Sequence, residues 1–250
     1  MQVAEDVLGI MISLDSRSEN SQMLIRSQDV GKVTIIIPTL NEALAIKKVL
    51  FNIQNEFLDE VIVVDSSSDE TPEIAKDFGV TVIREIRKGY GRALQTGIEN
   101  AQGDIVVFID GDYTYDPKDI PRIVEPILSG KCDVVLGNRL NGKLYPQAMD
   151  LVNRIGNTIL SLIFSIVFFR RVNDTQCGLR AIRKQFLEGI SYKDYGMPYA
   201  TEQLAKLVKK GARIGNVSIT YRPRIGVTKL CKWTDGFSIL KVILRELFSM

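Results

Sequence analysis

A chain of 250 residues, 45% hydrophobic and 25% charged, is long enough to bury a full core and fits one large domain better than two small ones. It contains no histidine, which excludes a Ser-His-Asp triad, a Cys-His pair and imidazole zinc sites and leaves catalysis to carboxylates, Lys, Arg, Tyr, Cys or a metal. The net charge of +2 conceals an asymmetry, because residues 1–138 carry 13 Lys and Arg against 23 Asp and Glu while residues 139–250 carry 19 against 7. The basic second half is either a solvated face or an attractor of phosphates, nucleic acid or an anionic membrane. Cys132, Cys177 and Cys231 are odd in number and lack metal-ligand spacing, so a reducing compartment without a disulfide framework is expected.

Residues 1–30 read as an N-terminal extension, polar over 15–22. Their apolar patch at 7–14 follows two acids and has no basic leader, so no secretory signal is expected. The folded domain is expected over 31–230. Its first strand, 33–37, stops at Pro38, and a helix follows over 42–57. A second strand, 60–64, runs into Asp65, after which Ser66, Ser67, Ser68 and Asp69 supply hydroxyls and an N-cap for a helix over 72–77. A third strand at 80–83 leads to a loop and helix over 88–100. The next run, Ile105-Val106-Val107-Phe108-Ile109, fits a strand covered on both faces, and it stops abruptly at Asp110-Gly111-Asp112. Four strand signals alternating with helices predict an α/β domain with a doubly wound, mostly parallel sheet.

A helix at 121–128 and a strand at 133–136, ending in Gly137-Asn138-Arg139, come next, and the composition then turns basic. The apolar segment 159–169, followed by Arg170-Arg171, is shorter than the roughly 20 residues a spanning helix needs. It reads as a core helix, an interfacial helix, or half of a helical pair in the headgroup region. A polar loop over 173–180, a helix over 200–210 and a strand near 214–219 follow. The span 231–250 is set apart as a C-terminal amphipathic helix, in which Ile239, Ile243 and Leu247 form a stripe with Leu240 and Leu244 on its flank and Lys241 and Arg245 opposite.

The carboxyl end of a parallel strand is where such sheets bind ligands. Gly111 is expected to leave the backbone free to turn, so that Asp110 and Asp112 face one hard cation, and Mg²⁺ or Mn²⁺ carrying substrate phosphates is the natural occupant. Asn41-Glu42 and Asp65 fall on the same sheet edge, which makes a nucleotide pocket. There Asp65 either accepts hydrogen bonds from a base or ribose or anchors its own turn. The loop Arg87-Lys88-Gly89-Tyr90-Gly91-Arg92 opens a helix and offers amides and cations to phosphates. Leu94 breaks the dinucleotide fingerprint, which counts against a dehydrogenase, and no Walker sequence is present.

Together, Ile36-Ile37-Pro38-Thr39-Leu40-Asn41-Glu42, Val63-Val64-Asp65 with the following serines, and Asp110-Gly111-Asp112 resemble family 2 glycosyltransferases of the GT-A fold. Gly137-Asn138-Arg139, the run from Asp174 to Arg180, and Tyr221-Arg222-Pro223-Arg224-Ile225-Gly226 leading to Thr228-Lys229-Leu230 narrow the resemblance to the polyprenyl-phosphate hexose synthases, the dolichyl-phosphate mannose and glucose synthase group. The resemblance spans 33–230. It implies a UDP- or GDP-hexose donor, with Pro38, Leu40, Asn41, Glu42, Asp65, Lys88, Gly89, Asp110 and Gly111 around the nucleotide sugar, and a divalent ion, Mg²⁺ or Mn²⁺, on Asp110 and Asp112. It also implies a polyprenyl or dolichyl phosphate acceptor at a membrane surface, and so a cytoplasmic protein peripheral on the cytosolic face. Thr114 stands where the mannose synthases often have Gln, and Asp65-Ser66-Ser67-Ser68 replaces the common Asp-Asp-Gly-Ser.

A lipid phosphate has a second pKa of about 6, so its attacking oxygen is ionised at neutral pH and needs little help from a base. What it does need is cations, and Arg139, Arg154, Arg180, Arg222, Arg224 and Lys229 are the candidates to hold the acceptor phosphate. Asp112, Arg139, Arg180 and Asp174 are the expected catalytic set, with Asp174 orienting the acceptor or acting as a base, in a metal-dependent, inverting transfer. The competing readings are a family 2 transferase with a soluble or polysaccharide acceptor and a nucleotide-sugar-binding module without turnover. Nucleic-acid binding lacks an aromatic platform or a recognisable motif.

Overall fold

The structure, a computed structural model, describes residues 31–53, 59–227 and 232–249. The N-terminal extension 1–30 and Lys229 lie outside the described residues. From Lys32 onward the chain forms one compact unit. Seven strands build its sheet: β1 (Val33–Thr39), β2 (Glu60–Asp65), β3 (Thr81–Arg84), β4 (Ile105–Phe108), β5 (Val134–Leu144), β6 (Arg180–Arg183) and β7 (Ile214–Tyr221). Seven helices flank it: α1 (Ala43–Asn52), α2 (Thr71–Asp77), α3 (Tyr90–Asn100), α4 (Ile120–Leu128), α5 (Leu151–Val167), α6 (Tyr199–Lys209) and α7 (Lys232–Phe248).

The sheet order is β3-β2-β1-β4-β6-β5-β7, and β6 alone runs against its neighbours. The expected doubly wound, mostly parallel α/β sheet is thus present. Alternation along β1 shows why: Val33, Ile35 and Ile37 join one core with α1, α2 and α4, while Ile36 joins the other with α3, α5, α6 and α7. Every residue of β4 is at most 1% exposed, so the run delivers its carboxylates from a fully buried strand. Each such side chain contributes about 1.5–3 kcal/mol when removed from water, which leaves the strand's end little freedom to shift.

Strand β6 was not expected. Its four residues offer only Ala181 and Ile182 as an apolar signal, yet they pair with Val106 and Val107 on one side and Val134 and Val135 on the other. Strand β5 also runs past its expected end at Leu136, through Gly137-Asn138-Arg139 to Leu144, with an irregularity between Asn138 and Lys143 where it follows β7.

Helix α5 begins eight residues before the apolar run that announced it, because Asp150 caps it by accepting from the Asn153 amide at 2.8 Å. Its inner face carries Phe164 and Ser161 into the core. Helix α7 packs on α5 and α6 through Ile239, Val242 and Ile243. Arg245, expected on the open side of that helix, is instead drawn inward. It pairs with Asp194 at 2.7 Å, Glu246 at 3.2 Å and Glu202 at 3.3 Å, because Glu202 and Glu246 are buried acids that require a counter-charge. No helix among the described residues is long and apolar enough to cross a membrane.

Candidate active site

The ends of β1, β2 and β4 bring the expected carboxylates to one sheet edge. Asn41 adopts a left-handed conformation (φ 53°) just past β1, which turns the chain into α1. Its amide donates to Ser67 Oγ at 2.7 Å, while its side-chain oxygen accepts from the Ser68 amide at 2.8 Å. Glu42 is buried and heads α1, and Leu40 is half-exposed beside it. The strand β1 does not stop at Pro38 as expected: Pro38 lies opposite Val64 of β2, and pairing continues to Thr39 opposite Asp65.

Asp65 is fully buried, and both its oxygens already have protein donors. Oδ1 accepts from Thr39 Oγ1 at 2.9 Å and Ser67 Oγ at 2.5 Å; Oδ2 accepts from the Ser67 amide at 3.0 Å and Arg84 Nη1 at 2.6 Å. The residue anchors its own turn and fixes Arg84 at the pocket rim, so Arg84 is the group left facing solvent there.

Asp110 and Asp112 follow β4 directly. Gly111 meets a constraint other than turning: a Cβ there would lie 2.8 Å from Thr39 Cγ2, so a glycine lets the 110–112 turn close on β1. The left-handed residue of the turn is Tyr113 (φ 63°). Asp112 Oδ1 accepts from the Thr114 amide at 3.0 Å and Thr114 Oγ1 at 2.6 Å, while Oδ2 faces Arg224. Asp110 accepts from Tyr90 Oη at 3.1 Å, and a Cβ on Gly178 would sit 2.7 Å from its Oδ2. Burial, reinforced by the Asp112 charge, pushes the Asp110 carboxyl up to about 7. A half-buried carboxyl pushed toward its neutral form beside a second carboxylate suits a hard divalent ion. Among the described residues no cluster of three or more His, Cys, Asp or Glu side chains gathers, so such an ion would complete its shell with diphosphate oxygens and water.

The Lys88-Gly89-Tyr90-Gly91 loop is arranged for packing. The Gly91 amide donates to the Tyr195 carbonyl at 2.8 Å, a Cβ on Gly89 would meet that oxygen at 2.5 Å, and Arg92 lies 3.2 Å over the Tyr195 ring. Lys88 is exposed.

The expected cations are dispersed. Arg139 is 6% exposed and grips Asp174 through Nε at 2.6 Å and Nη2 at 2.8 Å, with the Tyr221 ring 5.2 Å from its guanidinium carbon. Arg180 gives its donors to the carbonyls of Thr175, Cys177 and Ala200, so it braces the 174–178 loop from within. Arg222 pairs with Asp116 at 2.6 Å, and Arg224 bridges Asp112 and Glu42. Arg154 is exposed on α5.

From Asp110, Tyr90, Arg139 and Gly178 a cavity of about 440 Å³ runs outward between α5 and α7, lined farther out by Val152, Ile159, Ile163, Phe237 and Leu240. Its polar end lies at Asp110 and Arg139 and its walls become apolar. Sequence reasoning did not pick out Tyr90, Gly178, Gln176 or Tyr221 individually; all four line this cavity and all lie inside motifs already quoted.

Residues 34–191 match the profile described as Glycosyl transferase family 2. The chain is 32% identical over 234 residues to the low-salt glycan biosynthesis hexosyltransferase Agl6 of Haloferax volcanii, covering 91% of this chain and 57% of that protein. It is 34% identical over 220 residues to the dolichyl-phosphate hexose transferase of the same organism, covering 86% and 95%. In fold it is similar to the glucosyl-3-phosphoglycerate synthase of Mycobacterium tuberculosis, solved with Mn²⁺, UDP and phosphoglyceric acid: TM-score 0.70, 22% identity, 87% of this chain and 79% of that one. With its sheet order, its strand-end carboxylates and a profile match over more than half its length, the chain is a glycosyltransferase of the GT-A fold and belongs to glycosyl transferase family 2.

Proposed function

We propose that this protein transfers a hexose, with inversion, from a UDP- or GDP-linked donor to a polyprenyl phosphate at a membrane surface. The observation that carries the reading is the cavity that begins at Asp110 and Arg139 and opens, with apolar walls, between α5 and α7. The outer face of α5 supports it. Val152, Ile155, Ile159, Leu162 and Ile166 advance by three and four residues as one stripe, each at least half exposed, and Phe237 and Phe248 of α7 are exposed as well. A stripe of this kind, flanked by the exposed Arg154, Arg170 and Arg171, lies in the headgroup region of an anionic bilayer. Attachment is then peripheral, on the cytosolic face where nucleotide sugars are available.

In this reading the lipid phosphate enters from the apolar side and meets the Arg139 guanidinium, which lines the cavity and which Asp174 holds in place. An ionised phosphate oxygen attacks the anomeric carbon opposite the diphosphate. One C–O bond forms as the bond to the diphosphate breaks, and the diphosphate leaves with the electron pair. Asp174 is tied to Arg139 through both oxygens, so it positions that cation and does not take a proton. A bound Mg²⁺ or Mn²⁺ on Asp110 and Asp112 would supply Lewis-acid stabilisation to the departing group. The dolichyl-phosphate relative and the Mn²⁺- and UDP-bound fold neighbour support the same choice of acceptor, nucleotide and ion.

The test is transfer of labelled sugar from a panel of UDP- and GDP-hexoses into organic-extractable polyprenyl phosphate, with Mg²⁺ or Mn²⁺ and a chelator control. Metal-dependent label in the lipid is expected. Label that stays in water-soluble products would move the acceptor to a soluble class.

A further inference from the structure

Past β7 the chain does not leave the sheet but folds back along the metal turn. Tyr221 bridges Tyr115, the Arg222 amide donates to the Thr114 carbonyl at 2.7 Å, and the Ile225 amide donates to the Asp112 carbonyl at 3.2 Å. This strap places Arg224 between two carboxylates delivered by different strands: Nη1 reaches Asp112 Oδ2 at 2.5 Å, and Nη2 pairs with Glu42 Oε1. Nε of Arg224 is buried and has no partner among the described residues. Gly226 takes φ 93°, which turns the strap away just beyond Glu42.

Asp112 Oδ1 is already occupied by the amide and hydroxyl of Thr114, so Oδ2 is the oxygen a second cation must take. A guanidinium and a divalent ion on the same carboxylate oxygen repel one another, so each weakens the other's hold on Asp112 Oδ2. Without either, Asp112, only 6% exposed, would stand as an unneutralised acid.

We propose that Arg224 is an exchangeable counter-cation. It holds Asp112 and Glu42 while the site is empty, competes with the divalent ion for Asp112 Oδ2, and is drawn off by the donor diphosphate, which offers its guanidinium a new anion. The inference rests on the divalent-ion reading of Asp110 and Asp112 given above, and it moves Arg224 from the acceptor phosphate to the donor side. Its consequence is cooperativity: the ion alone binds weakly, and ion and nucleotide strengthen one another by the same factor.

Mn²⁺ binding to the full chain, read from the free-ion paramagnetic signal with and without UDP, tests this. Arg224→Gln is expected to bind Mn²⁺ alone about 10-fold more tightly than the natural chain and to lose about 10-fold of the strengthening that UDP provides, with Arg224→Lys between them. In the unmodified chain, amide exchange at Ile225 is expected to quicken when Mn²⁺ and UDP are added together. An Arg224→Gln affinity equal to or below that of the natural chain, or an Ile225 amide unmoved by Mn²⁺ and UDP, would overturn the exchange while leaving the metal site standing. No Mn²⁺ binding even with UDP would overturn the metal site and the exchange together.

Discussion

The acids of the first half and the cations of the second are held in opposite ways. Asp65, Asp110 and Asp112 each sit at the end of a buried parallel strand, so the backbone alone places them on one edge. Arg139, Arg180, Arg222 and Arg224 are each held by a side chain or carbonyl from another segment, such as Asp174, the 175–177 and Ala200 carbonyls, Asp116, and the Asp112–Glu42 pair. The excess of 19 Lys and Arg over 7 Asp and Glu after residue 138 therefore does not become a basic basin at the site. Most of the cations nearest the chemistry are already paired, and others such as Arg154, Arg170 and Arg171 lie exposed on and just beyond α5. The lesson is that charge counts describe long-range attraction, whereas the local field depends on which charges find partners.

The sharpest way to break the contrast is to remove an acid from the strand-end set. Asp112→Asn and Asp110→Ala are each expected to lower sugar transfer by on the order of 10²–10³-fold or more, since a group that stabilises the leaving diphosphate is lost. Asp110→Ala should leave the melting temperature of the metal-free chain unchanged or raised, because the acid it removes is already pushed toward its neutral form. Transfer assays beside thermal melts check this, and a variant that unfolds would show Asp110 to be structural.

On the cation side the order of effects should reverse, with stability failing before chemistry. Asp174→Ala strands a guanidinium that is 6% exposed and is expected to destabilise the fold by about 3–5 kcal/mol. Adding Arg139→Met, which removes the stranded charge, should restore much of that stability and none of the activity. Denaturant unfolding of both variants separates a brace from a reactive carboxylate.

The outer face of α5 carries the second half's exposed apolar stripe. Replacing Ile159, Leu162 and Ile166 by serine is expected to reduce sedimentation with anionic vesicles at least 10-fold, because each apolar side chain lost from a lipid contact costs about 1.5–3 kcal/mol. Stability in solution should change by less than about 0.5 kcal/mol per site. Equal vesicle binding by the variant would mean that this face meets something other than lipid.

The same contrast explains what was legible in the sequence. Strands β1 to β4 and the helices between them were readable because strand burial and helix spacing are local properties, and the Asp110-Gly111-Asp112 turn stood out because a buried run stops there. Strand β6 was not legible: Ala181 and Ile182 are too brief a signal, and its place between β4 and β5 depends on long-range pairing. The partners of Arg139, Arg224 and Arg245 were hidden for the same reason, since no periodicity links residue 224 to residues 42 and 112. The close approach of Gly111 to Thr39 was likewise not legible, because it belongs to tertiary packing.

The smallest expected effect lies at the tip of the donor edge, where an acid is held by its neighbours much as the second-half cations are. Arg87 first, and then Thr96, hold the Glu85 carboxyl down to about 2 from its usual 4.5. The folded chain thus binds that proton less readily than the unfolded chain does. The stabilisation is complete above about pH 4.5 and is lost as pH falls through the interval down to about 2. Because the Arg87 side chain is 56% exposed, solvent screening limits the contribution to about 1 kcal/mol. Glu85→Gln should therefore lower stability slightly at neutral pH and flatten the acid limb of the stability curve between about pH 4.5 and 2. An acid limb as steep in the variant as in the natural chain would place the acid sensitivity elsewhere.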